Sequence, residues 1–517
     1  MFPVLAVFLA AIVQPVPATA PLSPYAGQPV SAPQNPVDKI VFKRLADMKI
    51  APADLSSDSA FVRRVTLDVI GTLPTAAEAR QFIQNPDPNK RRVVIDRLLQ
   101  RDEFSEYWAM KWSDLLKVKA EFPVNLWPNA AQAYHHWIVE EIRNGVPYDR
   151  FARDLLTSSG SNFRVAPVNF YRAVQTKDPS TLARAVVLTF MGERAEKWPA
   201  ERLAGMAVFF SQVGYKVTQE WKEEIVYWDP GKADQSPAVF PDGTVAQLPP
   251  DRDPREVFAD WLIQPTNPWF TRNIANRVWF WLMGRGIIQE PDDIRPDNPP
   301  SDPQLLKLLQ DQLVASHYDL KRLFRLILNS QTYQLSCLPK SDSPEAAAHF
   351  ASYPVRRLDA EVLIDALDSI TGTTESYSSA IPEPFTYVPV DERSIALPDG
   401  SITSPFLETF GRSSRDTGLE LERNNHSSAA QELHLLNSSH VRQKIQQGPR
   451  LQAILRSGAG ANGIVDELYL TLLSRFPTDS ERSAAMAYPR SAGVSPREGA
   501  LDIVWALLNS AEFLYRH

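Results

Sequence analysis

Residues 267–300 read "NPWFTRNIANRVWFWLMGRGIIQEPDDIRPDNPP", and the reading of this stretch decides the fold. Asn267 followed by Pro268 is a helix start: the amide side chain can accept from free N–H groups of a first turn, where Pro gives up no needed donor. From there Phe270, Ile274, Val278, Trp281 and Leu282 fall on one broad stripe at 100° per residue. Asn273, Asn276 and Arg277 fall on the opposite side. About sixteen residues carrying Arg272 and Arg277 are too short and too charged to cross a bilayer, which takes ~20 apolar residues. The stretch is a core helix, stopped by Gly284 and Gly286.

Outward from this helix the same physics recurs. Thr75 with Glu78, Ser301 with Gln304, Ser428 with Gln431 and Thr478 with Glu481 have capping-box spacing, each ahead of a helical stretch. Val94, Ile95, Leu98 and Leu99 share one helix face, as do Leu305, Leu308, Leu309 and Leu313, and again Leu323, Phe324, Ile327 and Leu328. The expected fold is mainly α: two helical domains, 38–228 and 253–517, joined by a Pro-rich linker at 229–252. "PDG" at 241–243 is turn chemistry that suits a small hairpin. A long irregular loop with short strands is expected near 371–425, where Ser, Thr, Pro and Gly replace the helical pattern.

Composition narrows the function classes. The 517 residues are 44% hydrophobic and 22% charged, ordinary for a chain with a real core. A net charge of −7 gives no basic footprint for nucleic acid. The single Cys, Cys337, allows no intramolecular disulfide and reads as a packing residue beside Leu338. Residues 1–20 combine an apolar run from Phe2 to Val13 with small residues at Ala18-Thr19-Ala20, the pattern of an export signal peptide. A Pro-rich linker at 21–37 follows, and the mature chain is expected to be periplasmic or extracellular with no membrane span.

Chemistry is sparser. The loop after the core helix holds Asp292, Asp293, Arg295, Asp297 and Asn298 among prolines that fix its backbone angles. A second polar stretch at 411–440 holds Glu420 and Glu422, which alternation as in a strand would turn to one side, with Arg412, Arg415, Arg423 and Asn437 nearby. Two readings stay open. In one, Arg277, Arg285, Arg295, Asn298, Arg412, Arg415, Arg423 and Asn437 form a binding or structural clamp that neutralises the acids. In the other, Asp292 or Asp293 works with Glu420 or Glu422 as a catalytic carboxylate pair. No metal site is expected: His434 and His440, six positions apart, would lie on different faces of one helix, and His135-His136 has no ligand spacing. Nucleophile elbow, P-loop, dinucleotide fingerprint, H-E-x-x-H and haem-attachment motifs are absent from the sequence, and no cofactor is expected.

Long stretches carry a family resemblance. "FVRRVTLDVIGTLPTAAEARQFI", "YWAMKWSDLL" and "FMGERAEKWPAERLAGMAVFF" lie in the first half; "NPWFTRNIANRVWFWLMGRGI", "RRLDAEVLIDAL", "LNSSHV" and "LYLTLLSRFPTDSER" lie in the second. The chain resembles the paired domains of unknown function 1549 and 1553, the planctomycete cytochrome-associated PSCyt/PSD family. The resemblance implies an exported bacterial protein with no assigned reaction; haem or carbohydrate-binding modules fused to some relatives point to redox work or polysaccharide handling. It also implies two departures. The Cys-x-x-Cys-His-x-His insertion of relatives is missing where Gly192 to Trp198 runs straight through, and Leu419 and Leu421 stand where relatives have cysteines. A redox role loses its ligands. What remains is a binding or scaffold component that meets polysaccharide or other exported proteins, with a carboxylate-dependent glycan hydrolase or lyase as the alternative.

Overall fold

The computed structural model describes residues 23–517; the segment read as an export signal lies outside the described residues. Helices dominate, as the capping and stripe patterns require. The boxes at Thr75, Ser428 and Thr478 form with both reciprocal bonds, and Ser495 with Glu498 makes a further one. The start expected at Ser301 falls one residue later. Asp302 accepts from the N–H groups of Gln304 and Leu305 because its carboxylate reaches two free donors, and the helix runs Pro303–Ala315. Among the described residues no helix is long and apolar enough to cross a membrane.

The helix of the opening stretch spans Phe270–Met283. Asn267 Oδ1 accepts from the Trp269 and Phe270 amides at 3.0 and 3.2 Å, so the start signal works as its chemistry suggests. Its polar side, however, is not a solvent face. Asn273, Asn276 and Arg277 are all buried, and each is given a partner in place of water. Asn273 donates to Thr189 O at 2.8 Å, and Asn276 exchanges two bonds with the Ile288 backbone at 2.8 and 2.9 Å. The helix stops at Gly284 (φ +67°), and Arg356 then caps it by donating to Trp281 O and Leu282 O. A Cβ at Gly284 would stand 2.2 Å from Arg356 Cδ, so turn and cap both demand glycine there.

Strands occur where the sequence reads as helical. Val213–Val217 and Glu224–Trp228 pair antiparallel, Tyr215 facing Val226, and Gly160–Ser161 adds a short third strand. Val, Tyr, Ile and Trp side chains favour this pleated arrangement over the helix that the neighbouring pattern suggested. At 371–425 the expected loop is present, with a lone bridge between Ser378 and Thr403, a helical turn at Pro405–Thr409 and, among the described residues, no longer strand. Phe240 and Thr244 close the tight turn at 241–243, as Pro-Asp-Gly allows.

Packing is continuous across residues 229–252: buried side chains from both sides join one cluster. Two arginines on the helix Asp58–Ile70 show how tightly. Arg63 donates to Leu472 O and Phe513 O; Arg64 donates to Tyr333 O, Leu335 O and His517 O, all between 2.7 and 3.0 Å. Carbonyls far along the chain thus take the place of water around two buried guanidinium groups. The Pro-rich start is held too: Gly27 N donates to Leu55 O at 2.6 Å and Tyr25 sets its ring edge-on to His517.

Candidate functional site

The two polar loops meet at Arg277. This residue leaves the core helix with 1% of its side chain exposed and donates to Asp292 Oδ1 at 2.5 Å, a carboxylate equally buried. Its other nitrogen lies 3.3 Å from Glu420 Oε2, which also accepts from Trp281 Nε1 at 3.1 Å. The free oxygen of Asp292 accepts from the Glu420 backbone N–H at 2.7 Å, so one loop is tied to the other by backbone as well as by charge. Burial pushes the Glu420 carboxyl up against the pull of Arg277 and Lys111. Burial would lower the Arg277 guanidinium, but Asp292 and Glu420 outweigh it and raise it.

Glu420 and Glu422 do not share a face. Residues Glu420–Glu422 form a single tight helical turn, not a strand, and this sends the first carboxylate inward and the second outward. Glu422 instead gathers the Asp416 and Thr417 amides at 2.8 and 3.1 Å, together with the Ser414 and Thr417 hydroxyls. Its oxygens are engaged in holding the 414–417 loop.

Beside this lies a second charged knot whose acids the sequence reading did not include. Arg415 Nε reaches Asp114 Oδ1 at 3.0 Å, and Arg423 bridges Asp114 at 2.7 Å and Glu361 at 2.5 Å. Arg412 lies 3.5 Å from Glu361 and donates to Asp399 O and Ile402 O; burial pushes its guanidinium down to about 10. Burial alone would raise Asp114, but Arg423 and Arg415 prevail and hold it below the usual carboxylate range. The knot extends to Asp359, which accepts from Lys111, Arg516 and Asn425. A signal for these acids did exist. Asp114 and Glu361 stand among apolar neighbours, in "KWSDLL" and "DAEVLI", where a charge must be paired if the helix is buried on every side.

The remaining candidates are peripheral. Asp293 is paired with Lys197 and Arg295 at 3.1 Å each; burial is outweighed by these two cations, and its carboxyl stays low. Arg295 itself is 41% exposed and also reaches Asp297. Asn298 donates to Gln289 O and Asp293 O, bracing the loop. Arg285 and Asn437 are exposed and have no side-chain partner among the described residues, so the clamp does not include them. The joint at Gly192 completes the setting. Gly192 (φ +67°) accepts from Ile294 N, and Glu193 accepts from the indoles of Trp198 and Trp269 at 2.7 and 2.6 Å.

Two aromatic groupings remain. Behind Trp281 a narrow cleft runs between Phe104, Trp108, Trp112, Tyr148 and Phe324, but these rings are buried against one another, Trp108 lying 4.5 Å from Phe324 and 5.2 Å from Trp281. The second is at the surface. Trp127, from the loop before Pro128–Arg143, lies 6.4 Å from Trp221 at the turn between the two longer strands and 5.3 Å from Phe385 of the long loop. Trp221 is 69% and Phe385 42% exposed, and Lys222 Nζ stands 5.0 and 5.3 Å from the two indole centroids. Trp127 holds φ +75°, ψ 146°, an arrangement that costs a bulky residue about 1–3 kcal/mol. It persists because the Trp127 amide donates to Ala120 O and Leu126 to Lys119 O.

A helical chain with two interlocked segments and a closed ionic clamp is the class these observations define. Comparison with protein families gives two matches, a protein of unknown function (DUF1549, PSCyt2) over residues 36–198 and a protein of unknown function (DUF1553, PSD1) over 254–488. Together they cover about three quarters of the chain, which belongs to this paired family. No curated protein and no solved structure gives a match.

Proposed function

We propose that this chain is a binding component of an exported polysaccharide-handling system, and that it meets sugar on the surface formed by Trp127, Trp221 and Phe385. The observation that carries the reading is the convergence of three exposed or half-exposed rings from three distant segments, one of them on a strained backbone. Indole faces stack on the C–H faces of pyranose rings, and the Lys222 ammonium can donate to hydroxyls beside them. The carboxylates support binding over catalysis. A general acid needs an accessible proton path, whereas Asp292 is 1% exposed and shares Arg277 with Glu420.

Affinity electrophoresis through gels containing a panel of neutral and acidic polysaccharides tests this. The parent protein should be retarded by at least one of them. Trp221→Ala and Trp127→Ala should weaken that retention about tenfold, roughly 1.4 kcal/mol, while Asp293→Asn leaves it unchanged. Equal retardation of Trp221→Ala and parent, or retardation by no polysaccharide, overturns the proposal. Turnover of a retained polysaccharide that is lost in Asp292→Asn would favour the hydrolase or lyase reading instead.

A further inference from the structure

On a single helix, six positions would turn His434 and His440 away from each other. The structure has two helices: Ala429–Asn437 ends at Ser438, which has extended backbone (φ −69°, ψ 141°) and caps the next helix, Ser439–Gln447, through its hydroxyl. The break folds the two imidazoles together, with His434 Nε2 3.4 Å from His440 Nδ1.

We propose that His434 and His440 chelate a divalent transition-metal ion, with Glu375 behind them. A separation of 3.4 Å is long for a hydrogen bond between ring nitrogens, whose usual range ends near ~3.2 Å. It does fit two nitrogens that each lie ~2.0–2.1 Å from one tetrahedral ion, which places them about 3.3–3.4 Å apart. The rings are already oriented. His434 stands edge-on to Phe406 and Phe410, and His440 packs edge-on to Phe406. The far nitrogen of His440, Nε2, lies 2.8 Å from Glu375 Oε2, although off the line of a straight N–H bond. A carboxylate on that side favours the tautomer with its proton on Nε2, which leaves the Nδ1 lone pair for the ion.

Glu375 also has Lys444 at 3.5 Å, and Lys444 is paired with Asp368 at 2.5 Å, so the cation behind the site is already neutralised. Among the described residues no group of three or more His, Cys, Asp or Glu side chains surrounds one ion. The remaining coordination positions therefore belong to solvent or to an incoming donor. His440 is 32% exposed, which leaves that side open. The tetrahedral spacing suits Zn(II), and the usual affinity order makes Cu(II) a tighter-binding spectroscopic probe of the same imidazoles.

The test uses the full chain freed of metal, titrated with Cu(II) and with Zn(II) by calorimetry, with EPR on the Cu(II) form. One site is expected, with two nitrogens coupled to copper. His434→Ala and His440→Ala should each weaken it at least tenfold, Glu375→Gln should weaken it about tenfold or more without abolishing it, and His426→Ala should change nothing. Unchanged affinity and stoichiometry in His434→Ala overturn the proposal. If the alanine variants do not fold, the parent's spectrum decides: coupling to fewer than two nitrogens, or no site for either ion, overturns it as well.

Discussion

Replacing Arg277 with Met removes the cation that two buried carboxylates share while keeping a long side chain in the core helix. The side chains of Arg277 and Asp292 are each 1% exposed, so solvent cannot take over the pairing. Removing one member of such a pair leaves an uncompensated buried charge, at a cost of about 3–5 kcal/mol. In a chain of 517 residues each kcal/mol moves Tm by roughly 1–2 °C, less than in domains half that size. Arg277→Met should therefore melt about 3–10 °C below the parent in a calorimetric or fluorescence scan at neutral pH. Arg295→Ala is the contrast: its guanidinium is 41% exposed, and surface pairs of this kind contribute at most about 1 kcal/mol. The double variant Arg277→Met, Asp292→Asn should lose less than the two single variants together, since it strands fewer charges. A Tm for Arg277→Met within about 1 °C of the parent, or strict additivity in the cycle, refutes the clamp.

Two further outcomes are expected. Gly192→Ala should cost about 2 kcal/mol or more in urea denaturation, because its Cβ would stand 2.7 Å from Asn273 Oδ1 and 2.9 Å from Pro291 O at a positive φ; an unchanged midpoint would show that the 284–300 loop yields there. Burial, with Arg415 and His136 adding to it, pushes His135 down to about 3, below its usual value near ~6.5. The folded state thus binds fewer protons, and the contribution is complete above about pH 6.5 and lost as pH falls toward 3. Between pH 7.5 and 5, His135→Gln should lose about 2 kcal/mol less stability than the parent, and identical losses would rule this out.

How much was legible follows from where each partner lies. Caps are local, and Thr75, Ser428 and Thr478 could be read within four residues. Clustering of the polar loops was also legible in outline, since Arg277, Asp292 and Glu420 do share a site. The identity of the pairs was not. Arg415 and Arg423 find Asp114 about three hundred residues away, and Lys197 takes Asp293 from the opposite side of the Pro-rich segment. Alternation misplaced Glu422 because a three-residue turn replaces the strand, and a single-helix assumption separated His434 from His440 because Ser438 breaks the helix. His135 is buried while its neighbour His136 is exposed, as the two sides of one helix require.

The carbonyls that receive Arg63 and Arg64 have an evolutionary consequence. A chain that inherited only the first segment would carry two guanidinium forks with nothing to grip, and one that inherited only the second would leave the carbonyls of Tyr333, Leu335 and Leu472 without those donors. Gene shuffling can add modules at either end of such a pair, but a cut between its halves takes buried polar groups on both sides from their partners. On these contacts the halves are expected to be inherited as one unit.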